Sequence, residues 1–265
     1  SDIAAMGGTP RHLLVAMALP ATQTVAQIRQ LYGGLMKACR QHDVDLVGGD
    51  TSASRGGLFI GITLTGTAPP DRILTRNGAR VGDLLYVTGT LGDSLAGLTL
   101  LTTRRRHKTL GYEQALMTRH LRPTARIAAG LMLTSHGLAT AAIDLSDGLS
   151  GDLAHLCEQS GVGAEIQAAA LPLSPACRAY AQAHQADPLH LALTGGEDYE
   201  LLFTVPPSQQ AKLDRLASKA PYGITPIGVI RPRSFGLRLR DETGRSKKLA
   251  VSSYQHFRKP NRAGS

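Results

Sequence analysis

The longest regular pattern in the chain follows Thr24, where Val25, Ile28, Leu31, Tyr32, Leu35, Met36 and Cys39 recur at spacings of three and four. That period places them on one face of an amphipathic helix. Thr24, with Gln27 three residues on, supplies a capping box to start it. Upstream, Leu13 to Leu19 is an unbroken apolar run stopped by Pro20, which reads as a buried strand. Asp2 to Met6 predicts a short helix closed by Gly7-Gly8. Downstream, Val44 to Val47 predicts a short strand ending in a Gly48-Gly49-Asp50-Thr51 turn, and Leu58 to Thr67 a longer strand. The Ala68-Pro69-Pro70 segment then marks a boundary between a domain of residues 1–70 and one of residues 71–265.

The second domain alternates steadily. Leu84 to Thr88 predicts a strand, followed by helical patterns near 93–103, 112–119 and 124–136. Ala141-Ala142-Ile143-Asp144 is a strand that passes through a turn into a helix carrying Leu149, Leu153 and Leu156. A strand near 164–167, a helix near 174–184, the strand Leu201 to Val205, a helix over 208–218 and strands near 224–230 and 236–240 complete the pattern. Such alternation specifies an α/β or α+β architecture.

Composition narrows the function. A hydrophobic content of 42% with 18% charged residues is that of a folded globular protein. The net charge of +9 invites a nucleic-acid partner. Yet the one dense basic run, Arg104-Arg105-Arg106-His107-Lys108, has no interleaved aromatic residue and reads as a solvated loop. A basic surface suits small anionic substrates instead. Cys39, Cys157 and Cys177 lie far apart without metal spacing; Cys39 and Cys157 fall in helical patterns that pack them as small hydrophobes, and a reducing cytoplasm is the expected setting. No apolar run approaches the roughly 18 residues of a membrane span. The chain opens on a helical pattern without an initiator Met, as a domain entered partway would.

The chemistry concentrates in turns that combine glycine with acid. In Asp144-Leu145-Ser146-Asp147-Gly148, Asp147 or Ser146 suffices to cap the following helix, but the turn holds two carboxylates, with Asp152 one turn later. Clustered hard oxygen ligands suit Mg²⁺. Gly48-Gly49-Asp50-Thr51 is either a similar site or a plain Asx turn. Gly195-Gly196-Glu197-Asp198-Tyr199-Glu200 places three acids before an apolar strand. Thr88-Gly89-Thr90-Leu91-Gly92-Asp93-Ser94 resembles a phosphate cradle without its lysine, and capping by Asp93 or Ser94 explains it equally. Arg122 is open to two readings, a phosphate clamp or a surface residue. With no Ser/His/Asp or Cys/His pairing to place, the residues point to metal-assisted reaction of a phosphorylated substrate, without a protein nucleophile.

These motifs resemble a known family. Ser1-Asp2-Ile3-Ala4-Ala5-Met6-Gly7, Val47 to Thr51, Leu74-Thr75-Arg76-Asn77-Gly78-Ala79, Ile143 to Leu149, Gly195 to Leu201 and Tyr254-Gln255-His256-Phe257 are similar, in order and spacing, to thiamine-monophosphate kinases. The resemblance implies a two-domain fold of the aminoimidazole ribonucleotide synthetase type, with its N-terminal domain truncated at its start and a homodimer formed by β-sheet. It implies ATP-dependent phosphorylation of thiamine monophosphate to thiamine diphosphate with several Mg²⁺ ions, and it leaves a K⁺ requirement open. Residue by residue, Asp2, Asp50, Asp144 and Asp147 match metal ligands, with Asp147 acting in catalysis through the metal. Gly49, Asp50, Arg76 and Ser146 match ATP contacts, and Glu197 and Tyr254 thiamine-side contacts. Family members carry further upstream residues with a Gly-Asp-Asp segment. The rivals are other ATP-dependent enzymes of the fold (aminoimidazole ribonucleotide synthetase, selenophosphate synthetase, hydrogenase-maturation type) or an inactive fragment.

Overall fold

The computed structural model describes residues 1–103 and 110–251, so the basic run and Tyr254 lie outside the described residues. The chain divides into two units, Gly8–Ile73 and, larger, Ser1–Gly7 with Leu74 onward. The first seven residues therefore group with the C-terminal part. The reason is packing: Ala4 and Ala5 of helix α1 (Asp2–Ala5) are buried in one core with Ala129, Leu133, Tyr86 and Phe203.

The smaller unit is a three-stranded sheet ordered β2-β1-β3, built from β1 (Thr9–Pro20), β2 (Asp45–Ser54) and β3 (Phe59–Thr67). β1 pairs in parallel with β2 and antiparallel with β3. Helix α2 (Val25–His42) makes the crossover, and its capping box is formed: Gln27 N donates to Thr24 Oγ1 at 3.3 Å and Thr24 N to Gln27 Oε1 at 3.0 Å. Ile28, Leu31, Tyr32, Leu35 and Cys39 pack on Leu13, Val15 and Met17, as the periodicity specifies. The expected turn at Gly48–Thr51 is instead continuous strand. β2 runs through it because Gly49 and Asp50 continue the ladder opposite Val15 and Ala16.

The larger unit centres on a seven-stranded sheet ordered β10-β9-β6-β8-β4-β7-β5. Its strands are β4 (Leu84–Thr88), β5 (Ala141–Asp144), β6 (Val162–Gln167), β7 (Leu201–Val205), β8 (Ile224–Pro232), β9 (Leu237–Arg240) and β10 (Ser246–Lys248). Pairing is antiparallel except between β6 and β9, so this unit is α+β in character. The helices are α3 (Asp93–Thr102), α4 (Gly111–Leu121), α5 (Ile127–Ser135), α6 (Leu149–Ser160), α7 (Pro175–His184), α8 (Pro188–Thr194) and α9 (Gln210–Ala217). Leu149, Leu153 and Leu156 of α6 are fully buried against Leu85, Ile143 and Leu202 on one sheet face. On the other face α1, α5 and α9 cover Tyr86, Ala142 and Phe203.

Three departures from the expected pattern have local causes. α5 starts at Ile127 rather than near 124, because residues 122–126 leave the helical path after α4 and Arg126 has a buried acid to meet. α8 and β10, of seven and three residues, are too short for periodicity to register. All three cysteines are buried and free, Cys39 and Cys157 packing as small hydrophobes in their cores as expected. Burial pushes the Cys157 and Cys177 thiols up to about 12.

Candidate functional site

β5 ends at Asp144, and β7, its antiparallel neighbour, starts at Leu201. The two acid-and-glycine turns therefore emerge side by side at one end of the sheet. They are tied by backbone bonds: Leu145 N donates to Glu200 O at 2.8 Å, Tyr199 N to Leu145 O at 2.9 Å, and Glu197 N to Ser146 O at 2.8 Å. Such close approach needs glycine. A Cβ on Gly196 would sit 2.7 Å from the Ser146 carbonyl oxygen, and one on Gly148, at φ +108, 2.9 Å from that of Thr194. Glu197 and Tyr199 both hold left-handed backbone, at φ +62 and +51. Non-glycine residues pay steric strain there, and such strain concentrates at functional sites.

Neither Asp147 nor Ser146 caps α6. Its N-cap is Gly148, with no side-chain cap, and the acid that engages the turn is Asp152 from inside the helix's first turn. Asp152 Oδ2 accepts from Asp147 N at 3.0 Å and Gly148 N at 3.1 Å, so it clamps the turn and leaves the Asp147 carboxylate unengaged by the helix. Burial pushes the Asp152 carboxyl up to about 7, the fields of Asp147 and Asp144 adding to it against those two amide bonds. Asp144 is buried, and its Oδ2 accepts the Ser1 hydroxyl at 2.5 Å. Tyr199, for which the sequence suggested no role, lies among the acids. Its phenol is raised above the usual value by burial and then by the carboxylates of Glu197, Asp144, Asp2 and Asp147. The fold thus brings Asp2, Asp144, Asp147 and Glu197 within electrostatic reach of one hydroxyl.

Asp93 and Ser94 do not cap α3 either. Its N-cap is Gly92, and the carboxylate of Asp198, from the second acid turn, accepts Gly92 N at 2.7 Å and Ser94 N at 3.1 Å. Asp198 is fully buried and pushed up to about 7, by that burial more than the two amides lower it. Glu200, with no exposure at all, accepts Arg126 Nε at 2.6 Å, Arg126 Nη2 at 2.5 Å, an Nη of Arg119 and the Thr88 hydroxyl at 2.6 Å. Of the three acids in that turn, Glu197 alone keeps a half-exposed side chain, 3.7 Å from His120 Nδ1. Sequence reasoning missed Arg119, Arg126, Asp198 and Glu200 as partners because each pair is separated by some 74 to 106 positions.

The remaining expected site residues are carried by other elements. Gly49 and exposed Asp50 belong to β2 of the smaller unit. Arg76 is exposed in the larger unit, its carbonyl accepting the Ser160 hydroxyl at 2.7 Å. Arg122 is exposed at the C-cap of α4. Among the described residues, no group of three or more His, Cys, Asp or Glu forms a ready metal cage. Asp144, Asp147 and Asp2 nevertheless offer hard oxygen donors with mutually reinforcing negative fields. That fits an ion such as Mg²⁺, which keeps several waters and completes its shell with substrate phosphates.

Family models match both parts of the chain: AIR synthase related protein, N-terminal domain, over residues 1–68, and its C-terminal domain over 80–239. A thiamine-monophosphate kinase of Escherichia coli K12 is 41% identical over 261 residues, covering 98% of this chain and 78% of the relative. A solved structure of AaThiL complexed with AMPPCP and TMP superposes with a TM-score of 0.84 at 37% identity, covering 97% of this chain and 76% of that one. The hydrogenase maturation protein HypE of E. coli shares the fold, at a TM-score of 0.72 and 22% identity over 94% of this chain and 76% of its own. The chain belongs to the thiamine-monophosphate kinase family.

Proposed function

We propose that the protein phosphorylates thiamine monophosphate with ATP, giving thiamine diphosphate by direct transfer supported by Mg²⁺. The observation that carries this is the pair of hydrogen-bonded acid turns, Asp144–Gly148 and Gly195–Glu200, in a chain of this family. Its relative AaThiL is complexed with AMPPCP and TMP, which supports ATP and thiamine monophosphate as the ligands here. Asp144 and Asp147, with Asp2 near them and Asp50 on the smaller unit, are the proposed Mg²⁺ ligands. Bound there, Mg²⁺ supplies neutralisation of the phosphate charge. Gly49, Asp50, Arg76 and Ser146 are proposed for the nucleotide, and Glu197 and Tyr254 for the thiamine end.

The chain's own residues provide position and field. Asp152 fixes the turn by its two amide bonds, which leaves the Asp147 carboxylate available. Ser1 orients Asp144 through its hydroxyl. Glu197 keeps its carboxylate half-exposed, as attraction to a cationic ring requires. No covalent phosphoenzyme is needed, since phosphoryl transfer is catalysed by positioning and electrostatic stabilisation. Ile60, Ile62 and Leu64, exposed on one face of β3, support a homodimer formed through the smaller unit's sheet. Three free buried cysteines support a cytoplasmic setting, and no helix among the described residues is long and apolar enough to cross a membrane.

The test is formation of thiamine diphosphate from thiamine monophosphate and ATP with the full chain, in Mg²⁺ with and without K⁺, followed by chromatography. Product that requires both substrates supports the reading. A folded preparation that makes none in either salt overturns it.

A further inference from the structure

Beyond the acid turns, the larger unit contains a cavity of about 410 Å³ whose wall includes Arg119, Arg126, Thr90, Thr124, Ser174 and Tyr222. Among the described residues, none of those proposed for Mg²⁺, nucleotide or thiamine lines it. Its size is that of a small-molecule site. Its chemistry is set by an excess of donors. Arg119 and Arg126 converge on the single carboxylate of Glu200, and each guanidinium spends two of its five N–H donors on the protein. Arg126 Nη1 and Arg119 Nη1 and Nε have no protein partner among the described residues. The Arg126 guanidinium lies over the Tyr222 ring, with its Cζ 4.7 Å from the ring centroid.

The cavity's own acid, Asp93, is hydrogen-bonded to hydroxyls and, among the described residues, to neither arginine. Its Oδ2 accepts the Thr90 hydroxyl at 2.6 Å and its Oδ1 the Ser174 hydroxyl at 2.5 Å, so both oxygens are engaged. With their protons committed to Asp93, Thr90 presents its lone pairs and Ser174 one, since Ser174 Oγ also accepts Cys177 N at 2.9 Å. The wall therefore offers a planar cationic fork at one place and hydroxyl acceptors at another. A planar fork matches phosphate oxygens, while the acceptors match a ligand's own O–H or N–H groups.

We propose that this cavity is a second anion site, which takes the phosphoryl group of a small phosphate ester on Arg119 and Arg126. The site stands independently of the kinase reading. A ligand here would adjoin the second acid turn through the last turn of α4, where Arg119 donates to Asp198 O at 3.3 Å and His120 Nδ1 lies 2.9 Å from Ser94 Oγ.

Calorimetric titration of the full chain with inorganic pyrophosphate, in EDTA so that no divalent ion can bridge it to Asp144 and Asp147, tests the site. Saturable one-to-one binding is expected. Ala115, exposed on α4, lines the same cavity, so Ala115→Glu sets a carboxylate against the ligand without touching the Glu200 cluster. It should weaken binding by about tenfold or more, as like charges in contact do. Ala115→Gln, of the same size, should bind like the parent. Absence of saturable binding overturns the proposal. So does equal binding by Ala115→Glu and Ala115→Gln, or binding that is lost only in Asp147→Asn. None of these results bears on thiamine diphosphate formation, which is read separately.

Discussion

Two sets of carboxylates, brought together at one end of the same sheet by the pairing of β5 and β7, are treated in opposite ways. Glu200 is buried and saturated, with two guanidiniums and a hydroxyl on one acid. Asp144 and Asp147 share their surroundings with Asp2, Glu197 and a clamping Asp152, and among the described residues no ion pair neutralises either. A buried acid paired from all sides is architecture. Acids left to repel one another store a preference for a cation, and the fold holds them together with backbone bonds between the turns. The difference separates the part of the Gly195–Glu200 motif that builds the site from the part that serves it.

The comparison breaks first at Glu200. Replacing it by Gln removes the charge that two nearly buried arginines share, and breaking a buried pair in this way costs about 3–5 kcal/mol. Urea denaturation should show that loss, and a variant as stable as the parent would make the pairing incidental. Asp147→Asn should do the reverse. Turnover should fall by about 10²–10³ if charge stabilisation in the reaction is lost, while the melting temperature holds or rises as repulsion with Asp144 and Asp152 is relieved. A variant that unfolds at lower temperature would place Asp147 with the structural acids.

Asp198 sharpens the distinction, being an acid of the motif spent wholly on capping α3. Asn at this position keeps one acceptor and loses the other, at a cost of about 1–3 kcal/mol. The pH dependence has a defined sign. Its folded value, about 7, stands above the ordinary 3.8, so the native state holds the proton more tightly. The stability this gives is complete below about pH 4 and is lost as pH rises through 7. The gap between parent and Asp198→Asn should therefore narrow from pH 4 to pH 7, and a gap that widens would reverse the assignment. The smallest effect is expected at Asp152→Asn. It keeps one acceptor for the turn amides and removes one repulsive charge, so it should shift the melting temperature by only a few degrees.

Much of this was written locally in the chain. The apolar spacing from Val25 to Cys39 and the capping residues Thr24 and Gln27 specify α2 without reference to the rest of the fold, and the acid turns announce themselves by composition. What periodicity cannot encode is which distant group answers a given acid. Asp198 looks like a surface turn residue until α3 is seen to begin above it, and Glu200 until Arg119 and Arg126 arrive from the far side of the sequence. For Asp152 only the helix position is legible in the sequence, while the two amides it clamps depend on the turn folding back. Gly48–Thr51 read as a turn because two glycines and an acid usually make one. Pairing with β1 along its whole length kept it a strand.

The central claim is that the unpaired acids hold Mg²⁺ for phosphoryl transfer to thiamine monophosphate. It is tested most directly by the rate of thiamine diphosphate formation as a function of Mg²⁺ concentration, in the full chain and in Asp147→Asn. The parent rate should rise from zero and saturate, with the variant at least about a hundredfold lower at every concentration. Superimposable curves, or a parent rate independent of Mg²⁺, would contradict it.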